Sequence, residues 1–151
     1  GAFYFGLREV FWVYLCFQLL GLHIFSFPHS LTSQIIGFML VFIGTILSVL
    51  ARSQLGTNWA HAAEYQIKKE QELVTRGVYR YIRHPIYAAV LLSFVGGEMV
   101  AESYLFIPVL IFGLLVSYFQ GKKEETILIK HFGKRYHEYM TKSKMLIPYL
   151  F

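Results

Sequence analysis

The sequence is poor in the residues that form disulfides, metal clusters and the common soluble active sites. Its single cysteine, Cys16, excludes an internal disulfide and any metal site made of several cysteines. There is no HExxH motif, no G-x-S-x-G elbow and no G-x-G-x-x-G turn, so none of these enzyme signatures is present. Strand and helix patterns do not alternate, which excludes a Rossmann-type fold. Six histidines are present, but they do not recur at metal-binding spacing, and no metal site is expected.

Apolar side chains are the abundant class. They make up 56% of the 151 residues, with 18% aromatics and a mean hydropathy of +0.48. A soluble protein of this length has too little interior to bury so much apolar surface, so the composition predicts a membrane protein. The length predicts one domain over 1–151. The chain begins at Gly1 rather than at a methionine, so further residues are expected upstream in the native protein.

Four apolar segments have the length, or nearly the length, of a membrane-crossing helix. They cover residues 10–27, 31–50, 85 to about 101, and 104–120. A turn at 28–30 joins the first two, and Glu98 and Glu102 mark a turn between the last two. The predicted fold is therefore all-α: an integral-membrane protein with about four transmembrane helices in two hairpins. The first hairpin occupies 10–50, and the rest of the chain, 51–151, is the predicted catalytic core.

The basic residues indicate how these segments are oriented. Apart from Arg8, all of them lie in a connector, 52–84, and in a tail that begins at Lys122. By the positive-inside rule, both segments and the N-terminus are expected in the cytoplasm. Residues 65–73 predict a short interfacial helix. From Lys122 onward, apolar spacings of three and four predict an amphipathic helix that Gly133 breaks or kinks. Because the basic residues form no face of their own, nucleic-acid binding is not expected.

The end of the connector carries the densest polar cluster. Residues 73–87 hold three arginines, a histidine and three tyrosines directly before the third apolar segment. Polar groups at the edge of hydrocarbon are costly, so such a cluster indicates a functional site. Pro85 suits the first turn of a helix. Arg83 and His84 would then lie at a helix N-terminus, where free backbone N–H groups attract anions.

Five pieces of sequence, in this order, resemble the isoprenylcysteine carboxyl methyltransferase family and its phospholipid-methyltransferase relatives. They are residues 55–59, 73–79, 83–87, 124–125 and 132–139. The resemblance implies an integral-membrane enzyme that transfers a methyl group from S-adenosylmethionine to a lipophilic acceptor. The cofactor would lie at the cytoplasmic face, and the acceptor would enter from the bilayer.

The resemblance also implies which residues form the site. Carried over to matching positions, the cofactor contacts would be Glu64, Gln71, Glu72, Leu73, Val74, Tyr79, His84, Pro85, Ile86, Tyr87 and Glu124. The catalytic residues would be Arg83, His84 and Glu124. Arg83 and His84 suit the cofactor's carboxylate, and Glu124 or Glu64 suits its ammonium and ribose hydroxyls. Tyr79 or Tyr87 suits its adenine. Methyl transfer is an in-line displacement and requires no protein nucleophile.

One position departs from the family pattern. The carboxyl methyltransferases carry a basic residue four positions before the glutamate that matches Glu124, where it engages the acceptor's carboxylate; here that residue is Gln120. An amide can hydrogen-bond a carboxylate but supplies no counter-charge. An amine (phospholipid) or thiol acceptor is therefore an alternative. A non-catalytic scaffold or transporter subunit is the alternative from another class, although a transporter would carry ionisable residues in the middle of its spans.

Overall fold

The computed structural model describes residues 25–58 and 72–148. Over these residues the protein is helical, with two isolated bridges and no β-strand. The α-helices are α1 (Leu31–Leu55), α2 (Pro85–Val100), α3 (Phe106–Phe132) and α4 (Lys134–Lys142), and short 3₁₀ turns cover Gly56–Asn58 and Gly77–Arg80. The all-α prediction is thus confirmed for this part of the chain. Glu64, Gln71 and nearly all of the first apolar segment lie outside the described residues.

The helix boundaries follow local chemistry. The Ser30 side chain accepts a hydrogen bond from the Ser33 amide and caps the start of α1. Pro85 begins α2, as predicted from its fixed φ. Gly133 ends α3 with a φ of 55°, a left-handed conformation that glycine adopts without steric cost. The predicted break at Gly133 is therefore confirmed.

Three predicted boundaries were wrong. The segment 104–120 and the amphipathic helix from Lys122 are one continuous helix, α3, because Gly121 between them stays helical. Helix α1 continues five residues past the predicted end at Leu50. Residues 25–27 are not helical. They pair with the turn before α3 instead, through hydrogen bonds from Phe27 N to Glu102 O (2.8 Å) and from Tyr104 N to Phe25 O (2.9 Å).

Helices α1 and α2 pack antiparallel with their backbones almost in contact. A Cβ on Gly37 would lie 2.6 Å from the carbonyl oxygen of Gly96, and one on Gly96 would lie 2.6 Å from that of Gly37. Further along, a Cβ on Gly44 would lie 2.7 Å from the Ala89 oxygen. Small residues allow this close approach, which is how helices associate when the solvent is as apolar as their side chains. Helix α2 also packs against α3.

The outer faces of α1 and α3 are covered by exposed large apolar side chains. They include Ile35, Phe38, Met39, Phe42, Ile46 and Val49 on α1, and Ile107, Ile111, Phe112, Leu115, Val116 and Phe119 on α3. A soluble monomer rarely exposes an apolar surface of this extent, so lipid is the expected surrounding. Within 25–58 and 72–148, α1 is the one helix both long and apolar enough to cross a bilayer, whereas the apolar α2 has 16 residues. The four-span count stays a prediction.

The basic residues lie at one end of this helical unit. Every described lysine and arginine lies in one of three places: the second half of α1, the connector before α2, or the part of the chain that follows residues 106–119, the apolar part of α3. The last turns of α3 therefore extend past the apolar region. The opposite end carries Glu98 and Glu102, and the Glu102 carboxylate lies 2.8 Å from His29 Nδ1. Of the two residues predicted to mark the turn, Glu102 lies in it, whereas Glu98 lies in the last turn of α2.

We expect Gly96→Ala to weaken the α1–α2 contact, because the added methyl would meet the Gly37 oxygen and neither backbone can move aside freely. Overpacking of this kind costs about 1–3 kcal/mol. The matched control is Gly97→Ala, whose Cβ would have nothing within 4 Å and which should stabilise α2 by about 0.5–1 kcal/mol. Thermal unfolding in detergent micelles measures both. Equal changes in the two midpoints would contradict the glycine contact.

Candidate active site

The residues before α2 are joined to the C-terminal segment by backbone hydrogen bonds. Arg83 N donates to Lys144 O (2.8 Å), His84 N to Met145 O (3.1 Å), and Lys144 N to Tyr81 O (3.0 Å). This pairing encloses the start of α2 between α3 and the C-terminal residues. No side-chain pattern in the sequence signals it, because its donors and acceptors all belong to the backbone.

Arg83 and Glu125 form a buried ion pair at this junction. Arg83 Nε lies 2.7 Å from Glu125 Oε1, and the two side chains are 9% and 2% exposed. The guanidinium also donates to the carbonyl oxygens of Met140 (3.4 Å) and Ser143. Lys122 Nζ lies 3.4 Å from Glu125 Oε2. The Arg83 guanidinium therefore has its partners within the protein, and its predicted catalytic role stays a prediction.

The charge state of Glu125 follows from these partners. Burial alone would raise the pKa of this carboxyl, but His84 and Arg83 outweigh burial and lower it to about 2. Glu125 is therefore a carboxylate throughout the physiological range. Because its pKa is lowered on folding, its contribution to stability is present above its usual value of 4.5 and is lost as the pH falls toward about 2.

His84 lies between two glutamates and is 6% exposed. Its Nδ1 is 3.5 Å from Glu124 Oε2, and its Nε2 is 3.6 Å from Glu125 Oε1. Burial would lower the pKa of His84, but the two carboxylates outweigh burial and raise it. The ring of Tyr87 stacks on the imidazole with centroids 5.5 Å apart, and its hydroxyl donates to Glu124 Oε1. A Cβ on Gly121 would lie 3.1 Å from the imidazole, so this glycine admits the ring against α3.

Buried tyrosines form the support beneath this cluster. The Tyr139 hydroxyl donates to the Tyr79 carbonyl oxygen (2.6 Å), and Ser143 Oγ donates to the Tyr139 carbonyl oxygen (2.8 Å). Tyr136 is 1% exposed, and its ring meets that of Tyr139 edge to face at 5.8 Å. Burial raises the pKa of Tyr139 to about 12 and also raises that of Tyr79 and Tyr136. These phenols stay neutral and anchor α4 to the connector.

The structure brings some of the predicted site residues together. His84, Tyr87 and Glu124 are in contact. Arg83 joins them through Glu125, Tyr79 is bound to α4 through Tyr139, and Pro85 follows His84 as the buried first residue of α2. Ile86 lies in the first turn of α2, half-buried. Gln120 lies one turn before Glu124 on α3 and is half-buried.

The predicted cofactor contacts 72–74 lie in the connector, before the 3₁₀ turn at Gly77–Arg80. Leu73 and Val74 are half-buried, and Glu72 is exposed with its amide bonded to Asn58 Oδ1 (2.9 Å). The described end of the predicted interfacial helix 65–73, residues 72 and 73, is not helical. The rest of that segment, with Gln71, and also Glu64 lie outside the described residues. In the part of the chain that the structure describes, no three or more histidine, cysteine, aspartate or glutamate side chains are arranged so that they could hold a metal ion.

Five contributing residues were not among those predicted for the site: Gly121, Glu125, Met140, Ser143 and Met145. The sequence shows Glu125 as the second residue of a Glu-Glu pair, but it does not show which of the two glutamates is buried. Met140 and Ser143 contribute carbonyl oxygens, which any residue carries. Their role depends on where the backbone places these oxygens, which cannot be inferred from the residue types.

The chain is similar to known membrane methyltransferases. The family model described as phospholipid methyltransferase matches residues 32–135. A probable protein-S-isoprenylcysteine O-methyltransferase of Oryza sativa subsp. indica is 30% identical over 118 residues, which are 76% of this chain and 61% of that protein. The protein-S-isoprenylcysteine O-methyltransferase of Schizosaccharomyces pombe is 31% identical over 109 residues, 70% of this chain and 45% of that protein.

Among solved structures, the fold is similar to that of the eukaryotic intramembrane Ras methyltransferase ICMT, an isoprenylcysteine carboxyl methyltransferase. The TM-score is 0.72 at 26% sequence identity, over 78% of this chain and 42% of that one. The chain thus spans about half the length of the relatives it matches.

We expect Arg83→Met to destabilise the protein by about 3–5 kcal/mol, because it leaves the buried Glu125 carboxylate without its closest cation. The matched control is Arg76→Met, which removes an exposed arginine on the same connector and should change stability by less than about 0.5 kcal/mol. Denaturant unfolding in micelles compares the two. Similar losses in both variants would show that the ion pair is not a main stabilising contact.

Proposed function

The chain belongs to the phospholipid methyltransferase family, and on this basis we propose that it is an integral-membrane methyltransferase of the isoprenylcysteine carboxyl methyltransferase type. The observation that carries the proposal is the cluster of Arg83, His84, Tyr87, Glu124 and Glu125 at the basic end of apolar helices, in which His84 and Glu125 are buried. Buried ionisable groups at the edge of hydrocarbon are costly and mark a functional site. The similarity to membrane methyltransferases in sequence and in fold supports the same assignment.

S-adenosylmethionine is the proposed methyl donor. When bound, it supplies the methyl group, whose bond to sulfur breaks as the acceptor's bond to that carbon forms. Glu124 is the carboxylate suited to this ligand, since its side chain is 28% exposed whereas that of Glu125 is 2% exposed. It would hold the ammonium group or a ribose hydroxyl by charge-assisted hydrogen bonds. Tyr87 beside it offers an aromatic surface for the adenine.

The charge states at the site indicate which acceptors the protein can serve. Both ring nitrogens of His84 face carboxylates, and Glu125 is paired with Arg83 and Lys122, so neither side chain is directed at an acceptor to remove its proton. An acceptor that is already an anion needs no such base. A lipophilic carboxylate, as at the end of a prenylcysteine, meets this condition at neutral pH. The chain's own residues would then act by binding, alignment and exclusion of water.

Gln120 supports the alternative acceptors. It occupies the place where the carboxyl methyltransferases carry a basic residue, and Lys122, a nearby cation, is engaged with Glu125 and lies 5.7 Å above the Tyr118 ring. The two cations that contact Glu125, Arg83 and Lys122, thus already have partners. An amine headgroup or a thiol, which needs no cationic partner, is the alternative acceptor. Whether the acceptor is a carboxylate or an amine or thiol, we propose that its reacting group lies near Gln120, on the membrane side of Glu124.

The proposed arrangement in the membrane has four spans, with both termini and the site in the cytoplasm. The basic end of the described helices supports it, because positive residues are retained on the cytoplasmic side. In this arrangement, residues 10–50 form the first hairpin and 51–151 the catalytic core. The acceptor would reach the site laterally from the bilayer, and the donor would reach it from the cytoplasm.

Donor binding is the first test. We expect the wild-type protein in native-like lipid to bind S-adenosylmethionine or S-adenosylhomocysteine, and Glu124→Gln to weaken binding about 10- to 100-fold through loss of a charged hydrogen bond. Glu138→Gln is the matched control, because Glu138 is exposed and pairs with Lys134 at 3.9 Å. Isothermal titration calorimetry measures all three. Absence of binding by the wild-type protein would overturn the proposed function.

The acceptor is tested by a gain of activity. If Gln120 is what limits carboxylate recognition, Gln120→Arg should lower the KM for an isoprenylcysteine analogue by about tenfold, because it supplies the missing counter-charge. Gln120→Met is the control without charge. Transfer of labelled methyl to prenylcysteine, aminophospholipid and thiol acceptors measures the change. An unchanged or lower rate with the prenylcysteine analogue would count against this explanation.

A further inference from the structure

Both ring nitrogens of His84 face carboxylates. Nδ1 lies 3.5 Å from Glu124 Oε2 and Nε2 lies 3.6 Å from Glu125 Oε1. Nε2 is fully buried and has no hydrogen-bond partner. The stacked Tyr87 ring and the backbone of α3 at Gly121 enclose the imidazole. The histidine therefore cannot turn away from the two acids without disturbing its neighbours.

This arrangement favours the doubly protonated ring. A neutral imidazole carries one N–H and one lone pair, so either tautomer would direct a lone pair at a carboxylate oxygen. The imidazolium directs an N–H at each acid. Burial disfavours the cation, but opposite charges within about 4–6 Å favour it. The two carboxylates at 3.5 and 3.6 Å outweigh burial and raise the pKa of His84.

Glu125 also balances the charge of two cations near His84, because its carboxylate contacts them as well as the histidine. Its Oε1 is 2.7 Å from Arg83 Nε, and its Oε2 is 3.4 Å from Lys122 Nζ. Without the Glu125 charge, His84 would meet these cations with Glu124 alone to balance them. Other charged or titratable groups around the cluster include Arg52 on α1, Tyr79 on the connector, Tyr87 on α2, Lys123 on α3, and Tyr136 and Tyr139 on α4.

We propose that Glu125 is a positioning residue: it holds His84 as a buried imidazolium, and this cation together with the Tyr87 hydroxyl fixes the orientation of the Glu124 carboxylate. Arg83, Glu125, His84 and Glu124 then form a series of alternating charges that runs from the interior to the site. Glu124, the last member, is the more accessible of the two glutamates, with its side chain 28% exposed. The consequence for ligand binding rests on the proposed function, in which Glu124 contacts the methyl donor.

The protonation of His84 is measured directly by nitrogen NMR on histidine-labelled protein in lipid nanodiscs. The His84 signals are identified by their loss in His84→Asn, and the exposed His131 and His137 serve as references in the same sample. We expect both ring nitrogens of His84 to stay protonated well above the usual histidine midpoint of about 6.5. A midpoint at or below that value in the wild-type protein would overturn the proposal, and this measurement requires no Glu125 variant to fold.

Variants then test the role of Glu125. Glu125→Gln should lower the His84 midpoint by about one pH unit or more, since it removes an adjacent negative charge. Glu125→Asp keeps the charge and should restore most of the shift. Lys122→Met removes a cation and should not lower the midpoint, and Glu138→Gln should leave it unchanged. A His84 midpoint that is the same in Glu125→Gln as in the wild type would contradict the proposal.

Ligand binding separates this inference from the proposed function. At neutral pH, Glu125→Gln should weaken the binding of S-adenosylhomocysteine about tenfold, with Glu125→Asp closer to the wild type. The histidine titration is done without this ligand. If His84 is protonated but the wild-type protein does not bind S-adenosylhomocysteine, only the proposed function is refuted. If the wild type and Glu125→Gln bind S-adenosylhomocysteine equally well, only the positioning role is refuted.

Discussion

The ion pair between Arg83 and Glu125 is the interaction on which the candidate site depends. It joins the connector to α3, and the same guanidinium reaches two carbonyl oxygens of the C-terminal residues, those of Met140 and Ser143. Both charged groups are nearly inaccessible to water, so neither can lose its partner without leaving an uncompensated charge. The pair therefore holds three segments distant in sequence around His84, and the site exists only when all three are in place.

The rest of the fold places this pair at the boundary between two environments. The described helices carry exposed apolar side chains over most of their length and basic residues at one end. In lipid the hydrophobic effect does not drive helices together, so the α1–α2 pair relies on backbone contact at Gly37 and Gly96. That contact fixes how far α2 is shifted along α1. It thereby determines the level at which Pro85 begins α2 and at which His84 meets the charged part of α3.

Features with a local cause were predictable from the sequence. The start of α2 follows from the fixed φ of Pro85, and the end of α3 follows from the left-handed conformation of Gly133. The continuity of α3 was missed because a change from apolar to charged residues near Gln120 suggests a boundary, although the helical backbone tolerates it. The pairing of the C-terminal segment with Arg83 and His84 was missed for another reason: it uses backbone groups, which leave no trace in residue identity.

The two adjacent glutamates have different environments because the helix directs their side chains to different sides. Neighbours on an α-helix point about 100° apart, so when Glu125 turns inward to Arg83, Glu124 must point elsewhere, toward Tyr87 and the surface. Gln120 is four residues before Glu124 and so lies on nearly the same face, one turn closer to the apolar region. In the proposed reaction, donor and acceptor contacts are thus stacked along one face of α3. A lipophilic acceptor held at Gln120 and a donor held at Glu124 would approach from opposite directions along the helix, as an in-line transfer requires.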